Sequence, residues 1–305
     1  MFPFTKSKQQ GGYVGLEVRP DGLALAILRS KKDDPSAGLE YRYEPCSAAE
    51  REDVLKKMVA EFGLSGMACR AVLPVDQYKT YPIDKPEVED SELSDAARWR
   101  VKDLLEFDLE DAVTDVYDFP ADGLRGGRLP QLNVVVCRKA IVESMVALVS
   151  SSEMELKSID IADLSLRNIA LQQNQETDRS IALLYLRRGA GNMVFVKNEE
   201  LYLARHFEFS VDALTDPAQQ ESVIQYLALE IQRSFDYFES QLGQIPPKEI
   251  TLFGPDPSIP LANMLGGSIS AKLSPLVLPN IPDDSSSELI NSLVAVGATL
   301  RGGDS

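Results

Sequence analysis

Ile181-Ala-Leu-Leu-Tyr-Leu-Arg187-Arg-Gly-Ala-Gly191-Asn-Met-Val-Phe-Val-Lys197-Asn-Glu-Glu-Leu201-Tyr-Leu-Ala-Arg205 reads as three short apolar strands, at 181–186, 193–197 and 201–205, joined by two turns. The opening of the chain has the same order. A strand at 13–18 meets the tight turn Pro20-Asp21-Gly22, a second strand follows at 23–28, and a third at 39–43 comes after the charged loop 31–35. Both halves therefore begin with the same strand-turn-strand-turn-strand unit, which points to two lobes.

Working outward, Ser47-Ala-Ala-Glu50 reads as a capping box, with Ser47 accepting from a helix amide and Glu50 reaching back. The helix it starts carries Val54, Met58 and Phe62 on one face and stops at Gly63, before a strand at 68–74. Residues 76–130 change character: Pro82, Pro86 and an acidic run precede a helix expected from Glu92 to about Glu106, with Leu93, Ala96, Ala97, Val101, Leu104 and Leu105 on one face. A hairpin over 113–119 and 132–137, tipped by a glycine- and arginine-rich loop, leads to a helix at 140–151, a strand at 156–161 and a helix from Asp163. The polar run 173–178 is the expected boundary between lobes. Beyond it, a long helix starts at Asp216-Pro217 and runs to Gly243, with Val223, Leu227, Ile231, Phe235, Phe238 and Leu242 as its buried stripe. A strand at 250–253, a helix at 257–265, a polar linker at 281–287 and a last helix at 288–300 complete the pattern. The fold class is α/β, with mixed sheets backed by helices.

The apolar share of 44% is that of an ordered globular protein. Asp plus Glu outnumber Lys plus Arg by 47 to 31, and such an excess repels phosphate backbones, which argues against nucleic acid as a partner. Cys46, Cys69 and Cys137 lack CxxC spacing and read as buried thiols in a reducing compartment. No apolar stretch reaches the ~18 residues of a membrane span, and the start has no apolar signal core, so a cytoplasmic protein is expected. Phe2, Phe4, Lys6 and Lys8 read as a frayed terminus. His206, the single histidine, has no nucleophile at a recognisable spacing and reads as structural.

Five passages carry a family resemblance. They are Glu92-Leu-Ser-Asp-Ala-Ala-Arg-Trp99 with Leu105-Glu-Phe-Asp-Leu-Glu110 and Asp115-Val-Tyr117; Val134-Val-Val-Cys-Arg-Lys-Ala-Ile-Val-Glu143; Ile159-Asp-Ile-Ala-Asp-Leu-Ser-Leu166; Glu230-Ile-Gln-Arg-Ser-Phe-Asp-Tyr237; and Ala295-Val-Gly-Ala-Thr-Leu-Arg301. In order, they resemble the PilM family of type IV pilus assembly proteins, most closely the MshI proteins of mannose-sensitive haemagglutinin (MSHA) pili, although Glu106 stands where that family has proline. The resemblance implies a two-lobed actin-like (ribonuclease H-like) ATPase fold with the small inserted domain of FtsA and PilM. The first lobe would be 1–75, with 161–176 and the helix in 288–305 returning to it; the insert would be 76–160 and the second lobe 177–287.

In that fold two glycine-rich hairpins hold phosphates, each with an Asp for magnesium or water, and a third glycine pair seats the adenosine. Where relatives carry Asp-Ile-Gly-Ser, this chain has Glu17-Val-Arg19-Pro20, and proline supplies no amide donor. The second hairpin, Tyr185 to Gly191, carries Arg187, Arg188, Gly189 and Gly191 but no carboxylate for magnesium; the third site is Gly254-Pro255. The expectation is a pseudo-ATPase scaffold with no cofactor. Arg19, Arg187 and Arg188 are either side-chain donors to the phosphates of a retained ATP with magnesium or solvated hairpin charges.

The resemblance further implies that the groove between first lobe and insert takes the N-terminal peptide of a PilN-like bitopic membrane protein, linking platform and motor components at the inner membrane. The pocket is expected from Arg70 and Leu73 on one strand and Arg98 and Trp99 on a helix, Trp99 being either an anchor or a core residue. Other readings are an active ATPase, which Glu17→Ala would inactivate, a homo-oligomer or filament, and the cytoplasmic part of a type II secretion protein. Chains of the last kind continue into a membrane helix, whereas this one ends at Ser305.

Overall fold

The computed structural model describes residues 12–29, 38–123, 129–173, 179–254, 258–278 and 287–301. The expectations for the 2–8 terminus, the 31–35 loop, the arginines of the hairpin tip at 124–128, most of the polar boundary, Pro255 and the 281–286 linker lie outside these residues.

Strands β1 (Gly12–Arg19) and β2 (Gly22–Arg29) form a hairpin across Pro20-Asp21, and β3 (Leu39–Pro45) adds to β2. After α1 (Arg51–Phe62), β4 (Ala68–Leu73) runs parallel to β1, and β8 (Glu155–Ile161) parallel to β4, giving the order β3-β2-β1-β4-β8. The second half repeats this. Strands β9 (Ile181–Arg187), β10 (Ala190–Lys197) and β11 (Glu200–Phe207) meander, and after α5 (Gln220–Ser240) β12 (Glu249–Phe253) runs parallel to β9. With α6 (Leu261–Leu265) and β13 (Lys272–Pro275) the order is β11-β10-β9-β12-β13, the same arrangement. Asn198 and Glu199 both take positive φ, 50° and 67°, which matches the twist of a two-residue hairpin.

Between these halves stands a three-stranded sheet ordered β5-β7-β6, from β5 (Tyr78–Asp84), β6 (Ala112–Asp118) and β7 (Gln131–Arg138). Helix α2 (Leu93–Arg100) covers β6, while α3 (Lys139–Ser151) packs beside α1 on the first sheet. Strand β5 was not expected, because Pro82 lies inside it; at the sheet's edge the missing amide removes no ladder bond. Helix α2 stops at Arg100 and not near Glu106: Val101 is buried, a 3₁₀ turn follows, and Leu104 turns out to solvent.

Three further readings change in detail. Glu50 accepts from the Ser47 amide (2.9 Å) and hydroxyl (2.6 Å), but Ser47 caps no helix amide. Asp216 caps a turn through the Ala218 amide, and the helix proper begins at Gln220. Cys69 and Cys137 are buried, whereas Cys46 is half-exposed.

Helices α4 (Ala162–Ala170) and α7 (Ser287–Thr299) lie between the two large sheets and share one core with both. Ala24, Ala26 and Val72 face them from the first sheet, while Leu183, Tyr185, Val194 and Val196 face them from the second. The small alanines of β2 make room for α7, and their neighbours Leu23, Leu25 and Ile27 point to the opposite core under α1 and α3, as strand alternation requires. Each fully buried Leu or Val of α7 contributes roughly 1.5–3 kcal/mol by leaving water. Arg70 closes the end of this helix. Its guanidinium stacks on Tyr13 at 3.5 Å and donates to the carbonyls of Arg301 (2.9 Å) and Ala298 (3.5 Å).

Candidate functional site

The two hairpin turns that open the halves meet across a cleft of about 450 Å³. Glu17, near the end of β1, is fully buried, and its Oε1 lies 3.6 Å from Nη1 of Arg187, which at the end of β9 is 8% exposed and lines the cleft. Among the described residues neither Glu17 oxygen has a hydrogen-bond partner, nor have Arg187 Nε and Nη1 or the Oδ1 of Asn192 in the cleft lining. Burial pushes the Glu17 carboxyl above its ordinary 4.5, and the guanidinium groups of Arg187 and Arg19 offset this only in part.

Arg19 is held on three sides. Its Nε and Nη2 grip Asp21 at 2.9 and 2.7 Å, its Nη1 reaches the carbonyl and side chain of Asn291 in α7, and its plane lies 4.7 Å from Tyr43. Burial works to raise Asp21, but the grip of Arg19 overrides it and leaves that carboxyl below its usual value. Arg188 is exposed and paired with Asp212 at 2.7 Å.

The glycines have packing reasons of their own. A side chain at Gly191 would run into the Phe207 ring at 2.1 Å, so that glycine seats an aromatic. Gly254 takes φ +68° and passes so close to β9 that a Cβ would meet the Leu186 carbonyl at 2.0 Å. Gly189 marks the tip of the β9–β10 turn, with φ +80°.

A second cavity, about 640 Å³, lies between the insert and the second lobe. One wall is β5, through Tyr78 to Pro82, and the other is β11, through Leu201 to Ala204. Both are edge strands, so each brings an edge without a sheet neighbour among the described residues. One end is closed by Asp163 at the start of α4, whose Oδ1 is 2.6 Å from His206 Nε2 on β11. Near the insert's 3₁₀ turn, Asp122 contacts Tyr202 and Lys197 (3.0 Å), while its carbonyl accepts from Gln244 (2.8 Å). Tyr237 of α5 lines the same space under the cation of Arg205, and the Thr80 hydroxyl on β5 is buried without a partner among the described residues.

The pocket expected from Arg70, Leu73, Arg98 and Trp99 is not what these side chains build. Arg70 is 1% exposed and spent on the end of α7, and Leu73 belongs to the first-lobe core. Arg98 donates to the Leu109 carbonyl at 2.5 Å inside the insert, and Trp99 is 66% exposed with the Lys102 ammonium over its ring, so it is not a core residue. The strand expected at 201–205 forms one groove wall as β11, whereas the other wall, β5, contains Pro82 and is not among the expected strands. The one readable signal was the aromatic pair Tyr78 and Tyr81 in an otherwise polar stretch.

No family model matches the sequence, and no curated protein sequence matches it. Solved structures do match. A chain of the PilM–PilN type IV pilus biogenesis complex aligns with a TM-score of 0.73 at 19% identity, over 96% of this chain and 99% of that one. The fold is actin-like. The cytoplasmic domain of EpsL, an inner-membrane component of the type II secretion system of Vibrio cholerae, aligns with a TM-score of 0.56 at 11% identity, over 94% of each chain. A Bacteroides thetaiotaomicron protein with an actin-like ATPase fold and unknown function gives 0.55 at 13% identity, over 97% of this chain and 99% of that one.

The cleft lies between the two turns for which the family resemblance implies phosphate contacts. Here Arg19 is engaged with Asp21 and Asn291 and Arg188 with Asp212, while Arg187 lies 3.6 Å from Glu17 with its Nε and Nη1 unpartnered among the described residues. Glu17 faces a guanidinium and not solvent, while Asp21, Asp76 and Glu208 are the carboxylates that line the cleft. No helix among the described residues is long and apolar enough to cross a membrane.

Proposed function

We propose that this chain is a cytoplasmic scaffold of a type IV pilus assembly platform, of the MSHA kind served by MshI proteins, and that it acts by binding and not by hydrolysis. Its partner is the cytoplasmic N-terminal tail of a PilN-like membrane protein, taken as an extended strand in the groove between β5 and β11. The observation that carries this reading is the groove itself: two sheet edges facing one 640 Å³ channel, which offer main-chain partners along a peptide while the tyrosines and Leu203 make pockets for alternate side chains. The likeness to a chain of the PilM–PilN complex supports the choice of partner. In this reading the cleft is a degenerate nucleotide site, and association with the inner membrane comes through the partner.

The test is calorimetry of the full chain with a synthetic peptide of that tail, alongside a titration with ATP and magnesium. Peptide binding that is lost when Thr80 and Leu203 are altered, with no heat from ATP, supports the scaffold. ATP binding at micromolar affinity with steady phosphate release would instead support an active ATPase. The EpsL likeness favours one second reading, a cytoplasmic component of type II secretion, which peptide selectivity between the two systems decides.

A further inference from the structure

The two cavities are built from the same two chain segments. Strand β11 lines the peptide groove at Leu201 to Ala204 and reaches the cleft at His206 and Phe207. On the opposite side, Val75 and Asp76 line the cleft and Tyr78 to Pro82 line the groove. The gap across the cleft therefore fixes the gap across the groove.

Arg187 of the second lobe lines the cleft, and behind it the buried Glu17 of the first lobe lies against its guanidinium. We infer that this pair is a positioning clasp: it sets the lobes at the spacing that shapes the β5–β11 groove, doing between two side chains what a bound nucleotide does between the hairpins of an actin-like ATPase. The inference rests on the scaffold reading only for the identity of the peptide.

The clasp works by matching, not by strength. Two buried charges at 3.6 Å without further hydrogen bonds among the described residues gain little over their desolvation, but either one alone would be a bare charge inside the protein. Register ties it to the groove. Arg187 pairs in the ladder with Ala190 of β10; two residues on, Asn192, whose Oδ1 is unpartnered among the described residues, pairs with Tyr185 on β9 and with His206 on β11, and His206 holds Asp163 of α4. A shift at Arg187 thus moves β10, and through β10 the His206 end of β11 at the groove's closed end. The two partners are not equivalent, since Glu17 can take a proton when left alone and Arg187 cannot lose one.

The experiment is a double-mutant cycle on the full chain: Glu17→Leu, Arg187→Met and the two together. Each is read by anisotropy of a labelled peptide from the membrane partner's cytoplasmic tail and by amide hydrogen exchange of 78–84 and 201–207. Glu17→Leu should weaken the peptide about tenfold, Arg187→Met by less, and the pair should return to within about twofold of wild type, as expected for two residues that couple directly. Exchange in both walls should rise in the single variants and recover in the double. Single variants that bind and exchange like wild type, or a double no better than either single, overturn the clasp and leave the groove reading intact. If the wild type does not bind the peptide, the scaffold reading falls and the exchange cycle alone decides the clasp. If Glu17→Leu does not fold, the comparison of Arg187→Met with the double variant decides the same question.

Discussion

Strands β3 and β11 hold the same place at the edge of two sheets with the same strand order, yet they are finished differently. β3 carries Glu40, Arg42 and Glu44 and ends in Pro45, with Arg29–Glu40 at 3.1 Å, Arg42–Glu44 at 2.7 Å and Arg42–Glu288 at 3.3 Å along it. Charges and a proline are how a sheet edge avoids capturing another strand. The corresponding edge of β11 presents Leu201, Tyr202, Leu203 and Ala204, and faces another edge across a channel. The repeated strand order thus yields two edges in equivalent places, one lined by charges and a proline and the other by apolar and aromatic residues at 201–204, and the difference lies in side chains and not in the fold.

The comparison breaks most severely from beneath β11. Phe238 is fully buried, stacks on Phe195 at 4.8 Å and meets Tyr202 edge-on at 6.0 Å. Phe238→Ala should cost about 3–5 kcal/mol in denaturant unfolding and loosen β11, whereas Leu55→Ala under the first sheet should cost about 2–5 kcal/mol and spare peptide binding. Next, a charge placed on the receptive edge should make it resemble the blunted one. Leu203→Glu should weaken the tail peptide by about tenfold or more in calorimetry, as loss of a central anchor does, while Tyr41→Glu on β3 should leave affinity unchanged.

The third effect is one of pH. The Glu17 carboxyl is raised in the folded state, so the native protein binds its proton more tightly than the unfolded chain does. Its contribution is complete below the ordinary value of 4.5 and is lost as pH rises through the folded value. Wild type should therefore lose thermal midpoint relative to Glu17→Gln as pH climbs from 4.5, and a gap that stays constant would contradict the buried placement. Asp21, which is depressed, has the opposite sign: it stabilises above its ordinary 3.8 and fails as pH falls through its lowered value. The smallest effect belongs to the blunted edge. Arg42→Ala removes two exposed pairs and should shift stability by no more than about 0.5 kcal/mol.

The strands and their order were largely legible, because hairpin turns such as Pro20-Asp21-Gly22 and Asn198-Glu199 are local signals flanked by short apolar runs that are buried on both faces. β5 was not, since Pro82 argues against a strand unless one knows that the strand lies at an edge. The charged residues read least well. Arg70 in an apolar strand looked like a surface anchor, but Tyr13 beside it and the end of α7, more than two hundred residues away, make it a core residue. Glu17 and Arg187, like Asp163 and His206, are pairs whose members lie in different lobes. No spacing along the chain announces them, so each side chain taken alone points either to a lost nucleotide or to no role at all.

The placement of α7 has a consequence for how the molecule is made. The inner faces of both sheets, from Ala24 and Val72 to Leu183 and Tyr185, are covered by a helix translated after all of them. During synthesis each lobe can assemble its outer helices early, but the seam joining them stays open until residues 287–301 have left the ribosome. That late segment is thus the one that turns two half-finished layers into a single body, and Arg70, waiting in the first lobe, is the group that receives its end.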